Sequence, residues 1–518
     1  MGDLTTSTYV RPRVRRALGR HPLRCALAIV AALSILAMAC SDDDEGPAPD
    51  RAATEVEATT EAEPTTEAEP AAAVEATTEA EPATEESDSE EVVETPSDEE
   101  ADVAAETAAT EEDDPVAAEP AAPDGLGCGL ATGQAATGEP IKVGAVVTIT
   151  GAADFSSASR SAAAYFDCVN DNGGINGRPI QYLVEDDGTN PEQAAGAAAR
   201  LVEDEGVVAM VASTSFLECG VNGAYYAENN VVVIAGTGAP RECFESANIA
   251  PVNAGPRISL IGAAQYGVDA YGIEHVVCIT FAIPNLGEWA CDGIAEWGAA
   301  EGIAAEVVTH PIDTADPTSI VLEAAAKGPD AIVVIEPLPL GVAILQAAEQ
   351  QDLAADIHWM AGTSLYDAAF PDLVGPYWNG RFDAQIELAT VDSTGPDNLL
   401  WLAVLDAYGS PDQPRDTFSQ SGFLAAKIFT ETVLGLTDDE LDDRDAVTEA
   451  LRSITRYDSD LLCGSYYFGP GDEHKSNHAG RIASIVDGAW VQSADCFEVN
   501  DPDLEDTLAL ERELGLGG

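Results

Sequence analysis

Two short polar stretches end apolar runs in the first part of the folded region. Ser213-Thr214-Ser215 follows Gly206 to Ala212, and Gly236-Thr237-Gly238 follows Val231 to Ile234. Hydroxyls and backbone N–H groups at the ends of buried strands suit the holding of a ligand, because the crevice beyond the strand ends is where α/β sheets bind. Helix capping is the alternative role for the Ser/Thr triplet. Chemistry that breaks bonds has weaker candidates. His474 and His478 lie four apart beside Asp472 and Glu473, but Gly469-Pro470-Gly471-Asp472 reads as a turn, so no metal is expected. Asp186 and Asp187 are neighbours on a strand and point to opposite faces, so they cannot flank one scissile bond. The phosphate-cradling pattern G-x-x-x-x-G-K-[ST] does not occur, and Gly236-x-Gly238 lacks the third glycine of a dinucleotide fingerprint. The six histidines are scattered and form no Ser/His/Asp set. These residues point to a binding protein rather than an enzyme, with no cofactor.

Such groups need buried strands to carry them. Ile141 to Val147 is an apolar run. Thr148 to Asp154 is a small polar turn, and an Ala-rich helical segment leads to Asn170-Asp171-Asn172-Gly173-Gly174. Pro179 to Val184 is a further run. Apolar runs alternating with helices predict a parallel sheet in an α/β domain. A second series follows. Strands are predicted at Glu274 to Phe281, Ala304 to His310, Asp330 to Ile335 and Ile357 to Ala361. Helices are predicted at Asn285 to Glu301, Pro317 to Lys327 and Leu340 to Gln351. Glu336 closes one of these strands, and Trp289, Tyr366 and Phe382 are candidate walls for a cleft. From Arg381 the pattern changes. One strand at Phe382 to Leu388 precedes helices at Asp397 to Tyr408, Ser419 to Leu436 and Asp445 to Ser453. Short strands follow at Gly464 to Phe468, Arg481 to Val486 and Ala489 to Gln492, then an acidic tail over 501–518. Late segments of this kind return to cover sheets already made.

Ile141-Lys142-Val143-Gly144, Thr150-Gly151, Asn172-Gly173-Gly174-Ile175-Asn176-Gly177-Arg178-Pro179-Ile180, Val184-Glu185-Asp186-Asp187 and Asn190-Pro191-Glu192-Gln193-Ala194 occur in that order. This ordered set resembles the leucine-binding (type I) solute-binding proteins of branched-chain amino acid ABC transporters, from about 140 to about 495. The resemblance implies two Rossmann-like lobes joined by a three-strand hinge and closing on a ligand. Lobe one would be about 140–255 and 385–455, and lobe two about 256–384 and 456–497. It implies a small solute, an amino acid or similar, handed to an ABC permease; a ligand sensor for a membrane signalling partner is the alternative. In the family a carboxylate is held at positions that match Ser215 and the Gly236-Thr237-Gly238 loop, with Ser213 beside them, and helix N-termini suit such an anion. Phe155 corresponds to an aromatic that covers the ligand. The family's ligand-contacting aromatics fall near Leu286 and Leu338. Its ammonium-binding acid falls near Thr363, which cannot supply a charge, so Glu336, Asp367 or Asp154 is left to substitute.

The formal net charge is −69. Residues 41–124 carry about −30 of it and residues 125–518 about −44. A surface this acidic repels phosphate, which excludes nucleic acid as a partner. Residues 1–40 read as a targeting segment, with arginines from Arg11 to Arg24 and an apolar stretch from Cys25 to Ala39. Ala37 and Ala39 before Cys40 resemble a bacterial lipobox, which implies a lipid on Cys40, an extracytoplasmic location and attachment to the cell membrane; an ordinary signal peptide is the alternative. Residues 41–124 repeat Thr-Thr-Glu-Ala-Glu-Pro at 59–64, 65–70 and 77–82 and are expected to be a disordered linker ahead of a folded region at 125–500. Cys128, Cys168, Cys219, Cys243, Cys278, Cys291, Cys463 and Cys496 remain. In an exported chain an even set suggests disulfides, here paired as nearest neighbours, unless some are buried thiols.

Overall fold

A computed structural model describes residues 126–516 apart from positions 152, 313 and 470. The targeting segment, Cys40 and the 41–124 linker lie outside the described residues. The first apolar run forms strand β1 (Ile141–Val147), buried along its length except at Lys142. A strand buried on both faces reads as a continuous apolar run, which is why this one was legible. It pairs in parallel with β2 (Ile180–Asp186) on one side. On the other side it meets β3 (Ala209–Val211) and, further along, β4 (Thr214–Ser215). Outside these lie β5 (Val233–Ile234) against β3 and β6 (Thr237–Gly238) against β4. Between β3 and β4 the backbone turns at Ala212, whose φ of 61° is left-handed. That kink rotates Ser213 back under β1, where its Oγ accepts from Val146 N at 3.2 Å.

The second sheet holds β7 (His275–Phe281), β8 (Ala304–His310), β9 (Ala331–Val334), β10 (His358–Ala361), β11 (Phe382–Ile386), β12 (Ala479–Val486) and β13 (Ala489–Glu498), in the order β13-β12-β11-β10-β9-β7-β8. β8 through β11 run parallel, and β12 and β13 complete the edge in antiparallel fashion. The helix Pro256–Tyr271 lies under this sheet, with proline in its first turn and Gly272 as a left-handed cap.

The late helices return to the first sheet. Pro396–Tyr408 and Thr417–Val433 pack against the helix Ser156–Asp171, and their Trp401, Phe423 and Phe429 share one core with Val143, Phe166 and Val169. Gly422 makes the crossing possible: a Cβ there would stand 2.0 Å from the backbone oxygen of Ala158. Residues 456–468, expected with the second lobe, join the first. Leu461, Leu462, Tyr466 and Phe468 lie in its core. The strand expected at Gly464 to Phe468 is only an isolated bridge, Tyr457 to Tyr466, because its apolar side chains face a helical layer and not a sheet edge.

The expected acidic tail is folded. Pro502–Leu504 and the helix Glu505–Leu514 dock on the second lobe. Arg257 holds Asp501 through Nε at 2.7 Å and Nη2 at 2.8 Å, both groups buried, and Leu504 joins the core beside Val499. Charge alone hid this, since a few buried positions decide docking, two of them acids, Asp501 and Glu511, that find Arg257 and His478 as partners.

The chain passes between the sheets at three places, near Val252–Gly255, Glu387–Ala389 and Ser476–His478. Asn477 ties them, donating from Nδ2 to Val252 O (3.4 Å) and to Glu387 O (3.3 Å). The Glu387 carboxyl accepts from Asn253 and from the backbone N–H groups of Ala254 and Gly255. Disulfides join Cys128–Cys168, Cys219–Cys243, Cys278–Cys291 and Cys463–Cys496, the nearest-neighbour pairs.

Candidate ligand-binding cleft

The C-terminal ends of both sheets face a cleft of about 350 Å³, the lower part of the range for small-molecule sites. The first lobe contributes Phe155, Ser215, Phe216, Thr237 and Gly238, with Asp416 and Phe418 from the start of a returning helix. The second contributes Phe281, Leu286, Ile335, Glu336, Leu338 and Thr363. Of the residues expected here from sequence, Phe155, Ser215, Thr237, Gly238, Glu336 and Thr363 line the cleft. Ser213 and Gly236 do not. They sit one layer down: Ser213 Oγ donates to Glu218 Oε1 (3.1 Å), and Gly236 N donates to Ser213 O (2.9 Å).

The hydroxyl of Ser215 is engaged within the protein. It accepts from Leu217 N and Glu218 N, both at 2.9 Å, and donates to the buried Asp187. This is helix capping, the alternative role of the Ser/Thr triplet. Neighbouring donors are engaged as well: Phe216 N with Thr148 Oγ1 (3.3 Å), Thr237 N with Thr214 Oγ1 (3.3 Å), and Gly238 N with Asn253 Oδ1 (2.7 Å). Thr237 Oγ1 lies 3.0 Å from Ser421 Oγ. Thr363 is likewise committed, its N–H to Ser259 Oγ (2.8 Å) and its hydroxyl to Gln385 O (3.0 Å).

Beneath this jaw, Glu218 is buried and bonded to Tyr226 OH (2.7 Å) and to Ser213. Burial pushes its pKa up to about 8, against the pull of those two hydroxyls. Burial also pushes Glu387 up to about 7 and Asp416 up to about 6, each opposed by the hydrogen bonds it accepts. Asp416 caps the helix Thr417–Val433 through Ser419 N (2.7 Å) and also receives Ser157 Oγ (3.0 Å).

An aromatic chain crosses the cleft, and of its members only Phe155 was expected from sequence. Phe155 stands 5.0 Å from Phe418 and 5.0 Å from Phe216, and Phe216 stands 6.0 Å from Phe281 of the other lobe. Phe216 directly follows Ser215 and Phe281 ends β7; their strand-end positions were the available signal. Trp289, Tyr366 and Phe382 are not cleft walls. Trp289 packs on Phe244, while Tyr366 and Phe382 lie in the second core against Trp490. His474 bonds to the backbone oxygens of Phe468 and Ala247, and His478 bonds to Glu511.

Two α/β lobes, three crossings and a cleft at facing strand ends match a known plan. The model for "Periplasmic binding protein" matches residues 140–489. The chain belongs to the periplasmic binding protein family. Among solved structures, an ABC transporter substrate-binding protein from Aeropyrum pernix aligns at TM-score 0.63 and 16% identity, covering 70% of this chain and 97% of that one. A fatty acid ABC transporter substrate-binding protein from Thermomonospora curvata gives 0.62 and 19%, covering 73% and 96%. A possible leucine/isoleucine/valine-binding protein from Rhodopirellula baltica gives 0.60 and 17%, covering 69% and 96%. At these identities the likeness is one of fold. No curated protein sequence matches the chain. As a periplasmic binding protein it has a solute-binding role, and the α/β architecture is that of the type I class.

Proposed function

We propose that this periplasmic binding protein is the extracytoplasmic substrate-binding component of an ABC importer. It takes a small solute, of amino-acid size, between its lobes and delivers it to a permease. Residues 1–40 would direct export and place a lipid on Cys40, and residues 41–124 would tether the folded region to the membrane. The observation that carries the reading is the cleft itself: about 350 Å³ at the facing strand ends of two lobes, beside three crossings tied at Asn477 and Glu387. Closure around a solute on such a hinge is a signal that a permease can read. The apolar walls supply affinity, and a few polar groups set orientation.

A thermal-shift screen of the full chain against amino acids, amides, amines and small carboxylates tests this. A cognate solute at one hundred times its Kd adds about 2.7 kcal/mol of stability, which a melting curve reads directly. Chemical turnover of a bound solute, or a screen in which nothing binds, would count against the proposal.

A further inference from the structure

Glu336 is buried at the end of β9, and its Oε2 has no hydrogen-bond partner among the described residues. Its Oε1 lies 2.7 Å from His310 Nε2. The other ring nitrogen, Nδ1, lies 3.1 Å from Pro311 O. A carbonyl only accepts, so Nδ1 carries a hydrogen. One more proton lies on the line from Nε2 to Oε1, whichever of the two atoms holds it. In both placements Oε2 is an acceptor with nothing to accept. A buried acceptor left unpaired costs the full desolvation of that oxygen. The missing partner is therefore a hydrogen-bond donor, and Glu336 lines the cleft.

The surroundings fix the charge of that donor. Asp154, Asp367, Glu387 and Asp416 also line the cleft, while among the described residues no lysine, arginine or histidine does. On the first lobe, the amides and the Ser215 hydroxyl that would hold an anion are already bonded, with Asp187 behind them. A carboxylate would arrive among acids, with the neutral Ser364 hydroxyl as the buried cleft side-chain donor left without a partner among the described residues, and one uncharged hydroxyl does not offset that charge. An ammonium would find acceptors and aromatic faces at Phe216 and Phe281, which attract cations.

Resting on the solute-binding reading, we infer that the ligand is a protonated amine on an apolar or aromatic body, with an N–H on Glu336 Oε2 and no carboxylate. Glu336 and His310 form its docking pair, and the phenylalanine chain holds the body.

The test is calorimetric titration of the full chain with 2-phenylethylamine, its neutral counterpart 2-phenylethanol and the anion 3-phenylpropanoate, with phenylalanine as a fourth probe. The amine is expected to bind at least about tenfold tighter than the alcohol, the loss typical of one charge-assisted hydrogen bond, and far tighter than the anion. E336Q should lower amine affinity by about ten- to one-hundredfold while changing alcohol affinity much less. Equal loss for amine and alcohol in E336Q overturns the inference. So does wild-type protein that gives no heat with the amine, or that prefers the anion. Should E336Q fail to fold, the wild-type ratio of amine to anion affinity decides alone. Binding of phenylalanine or the anion without the amine removes the ligand class and leaves the solute-binding reading standing. Silence from all four probes removes the class, and the wider solute screen then decides the reading.

Discussion

Glu218 under the first jaw makes the sharpest thermodynamic prediction. Its carboxyl is fully buried, bonded to Tyr226 and Ser213, and its pKa stands near 8 against an ordinary 4.5. Below pH 4.5 the folded and unfolded states both hold the proton, and the contribution to stability is fully present. As pH rises the unfolded chain releases its proton first, so the unfolded state is favoured progressively until the folded carboxyl also ionises near pH 8. At 1.36 kcal/mol per pKa unit, the loss across that window is of order 5 kcal/mol. Glu218→Gln removes the titration and keeps an oxygen for the two hydroxyl donors. Urea unfolding of wild type and E218Q at pH 4.5, 6 and 8 is the assay. Other titrating groups act equally on both proteins, so the difference in stability between them isolates this one. That difference should move in favour of E218Q by several kcal/mol between pH 4.5 and pH 8. A constant offset across the range would show that Glu218 is ionised in the folded state and refute the reasoning.

Two further outcomes follow from the packing and from the lobe contact. Gly422→Ala drives a Cβ to 2.0 Å from Ala158 O, so the two helices must part; a loss of about 3 kcal/mol is expected, while Gly435→Ala, with its nearest atom at 3.8 Å, should be near neutral in the same urea titration. Beside the cleft, Asn285 joins the lobes by donating from Nδ2 to Glu242 (2.5 Å) and by accepting from Arg241 N (2.7 Å). Asn285→Gly tolerates its φ of 56° and keeps the backbone bond. It should weaken solute affinity by roughly fivefold, one hydrogen bond's worth, with an unchanged melting temperature for the unliganded protein; unchanged affinity by calorimetry would deny the contact a part in closure.

The periodicity of the sequence carried most of the architecture. The strands from β7 to β11 were expected within a few residues; β7, β9, β10 and β11 are largely buried and leave apolar runs, while β8 is the half-exposed edge strand. The tail helix at Glu505–Leu514 was missed, since its docking depends on a handful of contacts such as Arg257 with Asp501 and the composition around them is acidic. Spacing left the disulfide connectivity open; the nearest-neighbour pairing expected among the possibilities is the one the structure holds.

The site divided differently. Strand ends rich in Ser, Thr and Gly marked where a ligand cleft would form, since the type of residue that ends a buried strand is a local property. What each group is free to do was not local. Ser215 lines the cleft, yet its hydroxyl is spent on its own helix and on Asp187, residues that only the folded chain brings to it. Glu336 looked no different in sequence from any acid ending a strand. Only the tertiary structure gave it His310 on one oxygen and no partner among the described residues on the other, and set it in one cleft with Phe155 and Phe216 of the opposite lobe. Sequence by itself determined two α/β sheets in tandem through buried periodicity, and the two-lobed clamp was what its resemblance to the family implied. The tertiary structure decided its chemistry, because hydrogen-bond occupancy and burial are properties of neighbours that are distant along the chain.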